Sequence, residues 1–328
     1  MIITRTPFRI SFFGGGTDFP QYYLEHGGRV LSTTINKYCY INCRYLPPFF
    51  DHKFRIRYSH REETHSPEEI RHPSVRECLK FTGVQRGVEM VHASDIPAMS
   101  GIGSSSAFTV GLLHALYALQ GRMVTQRKLA QDAIHVEQNL IGEHVGSQDQ
   151  TAAAFGGLNW IEFGQKDNIR VHPVTIGRQK MEYLQSHLLF CFTGFSRYSS
   201  EIAGEQVRQI PKKKTELSRM MEMVDHALAI LDGPVDQYGE FGALLHESWM
   251  LKRSLTRKIT THQIDEVYDC ARRAGALGGK ICGAGGGGFL IFFVPPEDQD
   301  RVKKALEGLL FVPFRMDELG SHVVFYSS

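Results

Sequence analysis

The sequence predicts an α+β protein built as two segregated halves. Three observations lead there. Runs rich in β-branched and aromatic residues fill the chain up to Pro97, and helical patterns follow them. A second series of strand, helices and strands begins at "HLLFCFTG", which places the boundary near 170–186. Glycine-rich turns stand where strands give way to other elements. The 328 residues, 42% of them hydrophobic, suffice for two cores.

In order, "IITRTPFRISFF" reads as a strand or strand pair running into "GGGTD", and "GGRVLSTTINKYCYINCRYL" as strands. "HKFRIRYS" alternates, with Phe54, Ile56 and Tyr58 on one side. "HPSVRECLKFTG" is a short helix ended by Gly83, and "GVEMVHASDIP" is a strand closed by Pro97. The apolar run after "GIGSSS" is a helix. "TQRKLAQDAIHVEQNLIG" is another, with Thr125 as N-cap and Gly142 as stop. "GSQDQTAAAFGGLNWIEF" gives a loop, a small-residue helix and a strand. After "HLLFCFTG" come helices at "RYSSEIAGEQVRQI", "KKTELSRMMEMVDHALAILDG", "DQYGEFGALLHESWMLKRSL" and "HQIDEVYDCARRAG". "ALGGKICGAGGGGFLIFFV" is a glycine turn and strand, "QDRVKKALEGL" a helix and "HVVFYS" a closing strand. No internal repeat or low-complexity tract interrupts this order.

The bulk numbers exclude several classes. A net charge of +2 with 22% charged residues does not mark a nucleic-acid binder. Lys212 to Lys214 read as a solvated helix start after Pro211. The six cysteines, with no CxxC pair, read as reduced and mostly buried thiols of a reducing compartment. Arg5 and Arg9 interrupt the first apolar run, which disfavours a signal peptide, and no window approaches a membrane span. A cytoplasmic protein without membrane or nucleic-acid partners is expected.

Four segments can carry chemistry. "PAMSGIGSSSA" lies between a strand and a helix. Its glycines let consecutive N–H groups curl inward, and the helix start adds free donors and the positive dipole end, an arrangement suited to phosphates. Its serines can donate hydrogen bonds or ligate Mg²⁺. No "GK[ST]" follows, so it is not a Walker loop, and the third glycine of a dinucleotide fingerprint is missing. The plain alternative is a flexible turn with a serine-capped helix. "GGGTD", after the strand holding Arg9, allows close approach to the backbone, and Asp18 can accept bonds from sugar hydroxyls; a hairpin or helix cap is the competing reading. Gly283 to Gly288 include five glycines, which suits close packing on another backbone or a phosphate, or else a sharp corner. Glu137, on a helix, and Asp149, in "GSQDQ", offer a hard metal ligand and a carboxylate near an attacking hydroxyl. No HExxH or GxSxG occurs, which disfavours a zinc protease or an elbow-type serine hydrolase.

Taken together, "TPFRISFFGGGTD", "PAMSGIGSSSA", "EQNLIGEHVGSQDQ" and "CGAGGGG", in this order over nearly the whole chain, resemble the GHMP small-molecule kinases. "RISFFGGGTDF", "GSSSAF", "SQDQTAAAFGG", "FTGFSR" and "LLHESWMLKRSL" look most like the heptose 7-phosphate kinases within that family, with the fucokinase kinase domain next. The resemblance implies a two-domain fold: a ribosomal-protein-S5-domain-2-like N-terminal ATP-binding domain over residues 1–183 and a ferredoxin-like domain over 184–328. ATP and sugar would bind between them.

By motif position, the resemblance implies that Pro97, Gly101, Ile102, Gly103, Ser104, Ser105, Ser106 and Ala107 hold the ATP triphosphate. Ser105, with Ser104 or Ser106 beside it, and Glu137 would ligate Mg²⁺. Asp149 would be the catalytic carboxylate with Arg9 beside it. Asp18, Gly15 and Gly16 would line the sugar, and the loop with Gly285 and Gly286 would close over phosphates or substrate. Gly15-Gly16 stands where galactokinases carry Glu-His, which opens room for a larger sugar. A substrate phosphate would want cations, for which Arg197, Lys252 and Arg253 are candidates. The segment from Lys53 to Ser66 is a candidate adenine pocket.

The expected reaction is Mg²⁺- and ATP-dependent phosphorylation of the anomeric hydroxyl of a heptose 7-phosphate, giving the 1,7-bisphosphate. The alternatives are an unphosphorylated sugar (L-fucose, galactose or a uronic acid) and a silent sugar- and ATP-binding sensor. Intact Asp149, Glu137 and serines weigh against the sensor. A homodimer is left open.

Overall fold

The computed structural model describes residues 1–165, 168–194 and 199–327, with backbone alone at Ser199 and Ser200. The first half opens with β1 (Ile2–Phe13), α1 (Pro20–His26), β2 (Gly28–Tyr45), β3 (Phe54–Arg57) and β4 (Arg61–Thr64). It continues through α2 (Pro73–Thr82), β5 (Val88–Ser94), α3 (Ser104–Leu119) and α4 (Gln126–His135). A π-helical turn, Val136–Ile141, extends α4, and α5 (Gln148–Phe155), β6 (Leu158–Phe163) and β7 (Ile169–Pro173) follow. The remainder holds α6 (Arg178–Ser186), β8 (Leu188–Phe192), α7 (Ser199–Gln209), α8 (Lys214–Asp232), α9 (Gly239–Leu255) and α10 (His262–Arg273). The chain ends with β9 (Gly278–Ile281), β10 (Phe289–Phe293), α11 (Gln299–Ala305), β11 (Leu310–Phe311), β12 (Met316–Asp317) and β13 (His322–Tyr326).

Local chemistry explains the expected boundaries. Gly83 closes α2 in the left-handed conformation at φ 65°, which costs a glycine little. Thr125 caps α4 by accepting the Lys128 N–H at 3.2 Å. Gly142 ends the π-turn at φ 79°. α3 is buried nearly all round, as its uninterrupted apolar run requires. Pro7 lacks a ladder donor inside β1, and the β1–β2 register shifts between Pro7 and Phe8. α1, β4, β7, α6, β11 and β12 were not foreseen. β4 reads "REET", a short charged hairpin partner with no apolar alternation to reveal it.

Among the described residues the first sheet has nine strands, with β13-β1-β2-β5-β3-β4 as its main path. The long β2 serves two partners: Gly28–Thr33 pair with β6, and Cys39–Tyr45 with β5. The second sheet runs β11-β8-β10-β9, all antiparallel. Numbered within that half, the order is four-one-three-two, with helices after the first and third strands. That is the ferredoxin-like arrangement.

The sequence reading gave residues 184–328 to the second half. Within that range, β12 and β13 pair with β2 and β1, so the chain end returns to the first sheet. The halves also share a core: the Phe13 and Phe241 rings meet edge-on at 5.0 Å. A second core gathers Trp249, Tyr268 and Phe292 with Phe19 and Tyr22 of the first half. All six cysteines are free thiols, five of them buried. Among the described residues no helix is long and apolar enough to cross a membrane.

Candidate active site

The site forms where β1, the loop before α3 and the first turn of α5 meet. The Arg9 N–H donates to Ile102 O at 3.1 Å, which seats the buried Ile102 against β1. The Arg9 side chain reaches α5, where Nε and Nη2 donate to Asp149 Oδ1 and Oδ2 at 2.8 and 2.7 Å. Its Nη1 donates to Gly101 O at 2.9 Å. Arg9 is buried, while the Asp149 side chain stays 24% exposed, so the carboxylate is the member open to a substrate.

Gly103 precedes α3 at φ 75°, and no side chain caps the helix. A Cβ on Gly103 would stand 3.3 Å from Asp149 Oδ2. The uncapped N-terminus of a buried helix therefore opens beside Asp149, where its first-turn N–H groups can receive an anion. Ser104 is half-buried and Ala107 buried in that turn. Pro97 is exposed at the start of the loop.

Two glycine loops lie back to back. A Cβ on Gly101 would meet Cys282 O at 2.7 Å, and one on Gly283 would meet Gly101 O at 2.5 Å. Phe289 N–H donates to Ser100 O at 3.2 Å. The close backbone approach foreseen for Gly283–Gly288 is therefore against the first loop. Gly285 and Gly286, expected to close over phosphates or substrate, pack on the α9–α10 connection: Gly286 N–H donates to Ile259 O at 2.8 Å. A Cβ on Gly285 would lie 2.5 Å from the same oxygen.

Asp18 is buried and receives the Gly16 N–H on Oδ1 at 2.9 Å and the Gln148 N–H on Oδ2 at 3.3 Å. The sequence reading aimed it at sugar hydroxyls; here its oxygens hold the glycine turn and the start of α5. Burial, with Asp149 adding repulsion, raises its carboxyl above the ordinary range. Gly146 makes this fit possible, since a Cβ there would fall 1.9 Å from Asp18 Oδ2. A Cβ on Gly15 would make ordinary contact with Gln148 Nε2 and Ser11 Oγ, each at 3.7 Å. Gly16 packs under Leu217 of α8.

Glu137 sits on the π-turn, wholly buried. Its Oε2 accepts the Ser106 hydroxyl at 2.8 Å and the Gln150 side-chain amide, while Oε1 is buried without a hydrogen-bond partner. Burial pushes its carboxyl up to about 7. An orphaned carboxylate oxygen beside a serine hydroxyl is a hard-oxygen pair that fits Mg²⁺. The serine bonded to Glu137 is Ser106. Ser105, chosen from the sequence, is exposed one residue earlier on the same turn. Among the described residues no group of three or more His, Cys, Asp or Glu could hold a metal, so such an ion would complete its shell with phosphate oxygens and water.

Of the expected substrate cations, Lys252 is buried and donates to Gly283 O. Burial lowers its ammonium to about 8. Arg253 instead pairs with Asp265 at 3.0 Å. Arg197 lies outside the described residues. Sequence reasoning missed Lys280, whose buried ammonium donates to Phe12 O at 2.9 Å. It also missed Gln150 and Gly146. The signal for Lys280 was a lone charge within "GGKI", all four residues of which are buried.

A carboxylate held by arginine, an uncapped helix start and a buried Glu–Ser pair, set where two α+β halves meet, define a phosphotransferase. Models of the GHMP kinases N terminal domain and of GHMP kinases C terminal match residues 73–157 and 235–310. The chain belongs to the GHMP kinases, which use ATP as phosphate donor. It is 28% identical to the D-glycero-alpha-D-manno-heptose 7-phosphate kinase of Campylobacter jejuni, over 93% of each chain. It is also 28% identical to an L-fucokinase/L-fucose-1-P guanylyltransferase of Bacteroides fragilis, covering 92% of this chain and 35% of that longer protein. A solved D-glycero-D-manno-heptose 1-phosphate kinase from Bacteroides thetaiotaomicron superposes with TM-score 0.78 at 26% identity, over 100% of both chains.

Proposed function

We propose that this chain is a cytoplasmic sugar kinase that phosphorylates the anomeric hydroxyl of a heptose 7-phosphate, giving the 1,7-bisphosphate. The observation that carries the transfer chemistry is the two-pronged Arg9–Asp149 contact beside the uncapped start of α3. Full-length similarity to a heptose 7-phosphate kinase supports the choice of sugar.

Phosphoryl transfer needs positioning and charge neutralisation more than covalent help. The Gly101–Ala107 turn offers N–H donors to the triphosphate. Glu137, with Ser106 or Ser105, would hold Mg²⁺, which supplies charge neutralisation of the phosphate oxygens when bound. Arg9 fixes both oxygens of Asp149 in place beside the open start of α3. Asp149 is thereby placed to orient the anomeric hydroxyl and to take its proton as that oxygen bonds to the γ-phosphorus and the bond from phosphorus to ADP breaks. Asp18 acts one step back, by fixing the first turn of α5.

The test is a coupled ADP-release screen of free sugars and sugar 7-phosphates, with NMR of the product. Turnover of the heptose 7-phosphate with phosphate appearing on the anomeric carbon is expected. Turnover of free heptose or fucose with none on the 7-phosphate would sink the reading.

A further inference from the structure

We propose that Lys252 is a catalytic residue whose ammonium contacts the phosphoryl group being transferred, and not a phosphate already carried by the sugar. This rests on the kinase reading above and assigns a role within the same cleft.

Position comes first. Lys252 lies in the last turn of α9, only 6% exposed, and donates to Gly283 O. Gly283 packs on Gly101, and Gly101 O receives Arg9, which grips Asp149. An unbroken series of contacts thus joins Lys252 to the catalytic carboxylate across the two glycine loops. A 7-phosphate would lie at the opposite end of the sugar from the reacting hydroxyl. A lysine fixed on the glycine loops is at the transfer end.

Charge points the same way. Three buried cations, Arg9, Lys252 and Lys280, share this floor with two carboxylates, Asp18 and Asp149. Burying an uncompensated charge is costly, and an arriving anion removes that cost. Lys280 donates to Phe12 O of β1, and not to either glycine loop. Lys252 has three N–H donors and, among the described residues, one acceptor, so it holds donors in reserve for phosphate oxygens. One turn back on the same face of α9, the Ser248 hydroxyl is also buried without a partner. A preset cation in a water-poor site acts most strongly on charge that develops during reaction.

The groups facing the Lys252 ammonium are Lys280 and Cys282 from β9 and its end, Arg9 from β1, Asp18 from the turn after β1 and Asp149 from α5. Burial is the largest influence and leaves the ammonium ionising near 8, so loss of its proton removes the contact.

The experiment compares wild type, Lys252→Met and Lys252→Arg with whichever sugar the wild type turns over. Lys252→Met is expected to lose about 100-fold or more in kcat, with the sugar KM within about threefold. Lys252→Arg should recover part of the rate. Wild-type kcat/KM should fall above about pH 8, and the arginine variant should hold to higher pH. This profile reads out even if the methionine variant fails to fold. A tenfold or greater rise in sugar KM with kcat retained would make Lys252 a ligand of the substrate phosphate and overturn the proposal. So would unchanged kinetics in Lys252→Met, or an identical alkaline limb in wild type and Lys252→Arg. A wild type that turns over no sugar overturns the kinase reading itself, and this proposal with it.

Discussion

Arg9 and Asp149 stand 140 residues apart and meet through two parallel hydrogen bonds of 2.8 and 2.7 Å, while the same guanidinium holds Gly101 O. One side chain thus ties β1, the loop before α3 and the first turn of α5 into one unit. A forked donor fits a carboxylate as a point charge cannot. Arg9→Lys should therefore lower turnover about 100-fold while keeping the charge, and Asp149→Asn should lower it about 1000-fold or more. In both, ATP affinity measured by calorimetry should stay within a few-fold of wild type. Full activity of Asp149→Asn would remove it from the mechanism.

Glu137 predicts a pH-dependent stability of the metal-free protein. Its folded pKa, near 7, lies above the ordinary carboxyl value of 4.5. The folded state therefore favours the protonated form. That contribution is complete below pH 4.5, and it is lost as pH rises through 7. The amplitude is at most about 3 kcal/mol. In EDTA, Glu137→Gln should lose this decline and exceed wild type in melting temperature at pH 8. Added Mg²⁺ with nucleotide should stabilise wild type and not the variant. Equal responses to Mg²⁺ would take Glu137 out of the metal site.

The serines separate by a similar logic. Ser106→Ala removes a hydroxyl bonded to Glu137 inside the protein, and it should cost stability by about 1–2 kcal/mol as well as activity. Ser105→Ala alters an exposed position and should leave the melting temperature within about a degree. The Mg²⁺ concentration giving half-maximal rate then tells which hydroxyl the metal uses.

Gly283→Ala should part the two glycine loops. Its Cβ would fall 2.5 Å from Gly101 O, and φ there is 66°, so neither space nor backbone conformation accepts the methyl. The ATP KM should rise at least tenfold and stability should fall by about 1–3 kcal/mol. A variant with unchanged ATP KM would show that the loops work independently.

Removing residues 321–328 should destabilise the first sheet, although the cut is made at the end of the second half. β13 pairs with β1 from Ile2 to Arg5, and the Ser321 hydroxyl meets Thr6 Oγ1 at 2.8 Å. The two tryptophans, Trp160 on β6 and Trp249 on α9, report the two halves. The melting temperature should drop by about 5–10 °C, with Trp160 exposed no later than Trp249. A truncated protein that melts like the full chain would make the strand dispensable.

Much of the fold was legible because it is local. Gly83, Thr125 and Gly142 act through their own turns, and the alternation of Phe54 and Ile56 shows in four residues. The glycine loops and the serine-led helix were equally plain, since a backbone that must approach another backbone excludes side chains. β4 and β7 left no such mark, being short edge elements with mixed composition.

By itself the sequence determined the types of most elements, and it singled out the glycine- and serine-rich turn before α3 and Arg9, Glu137 and Asp149 as candidate groups. The tertiary structure decided what each one faces. It brought Asp149 to Arg9, turned Ser106 and not Ser105 to Glu137, gave Asp18 to the start of α5 and buried Lys252 and Lys280 beside them. It also returned β13 to β1. These are contacts between distant segments. They depend on how strands pair and helices rotate when the core closes, and no local propensity encodes them.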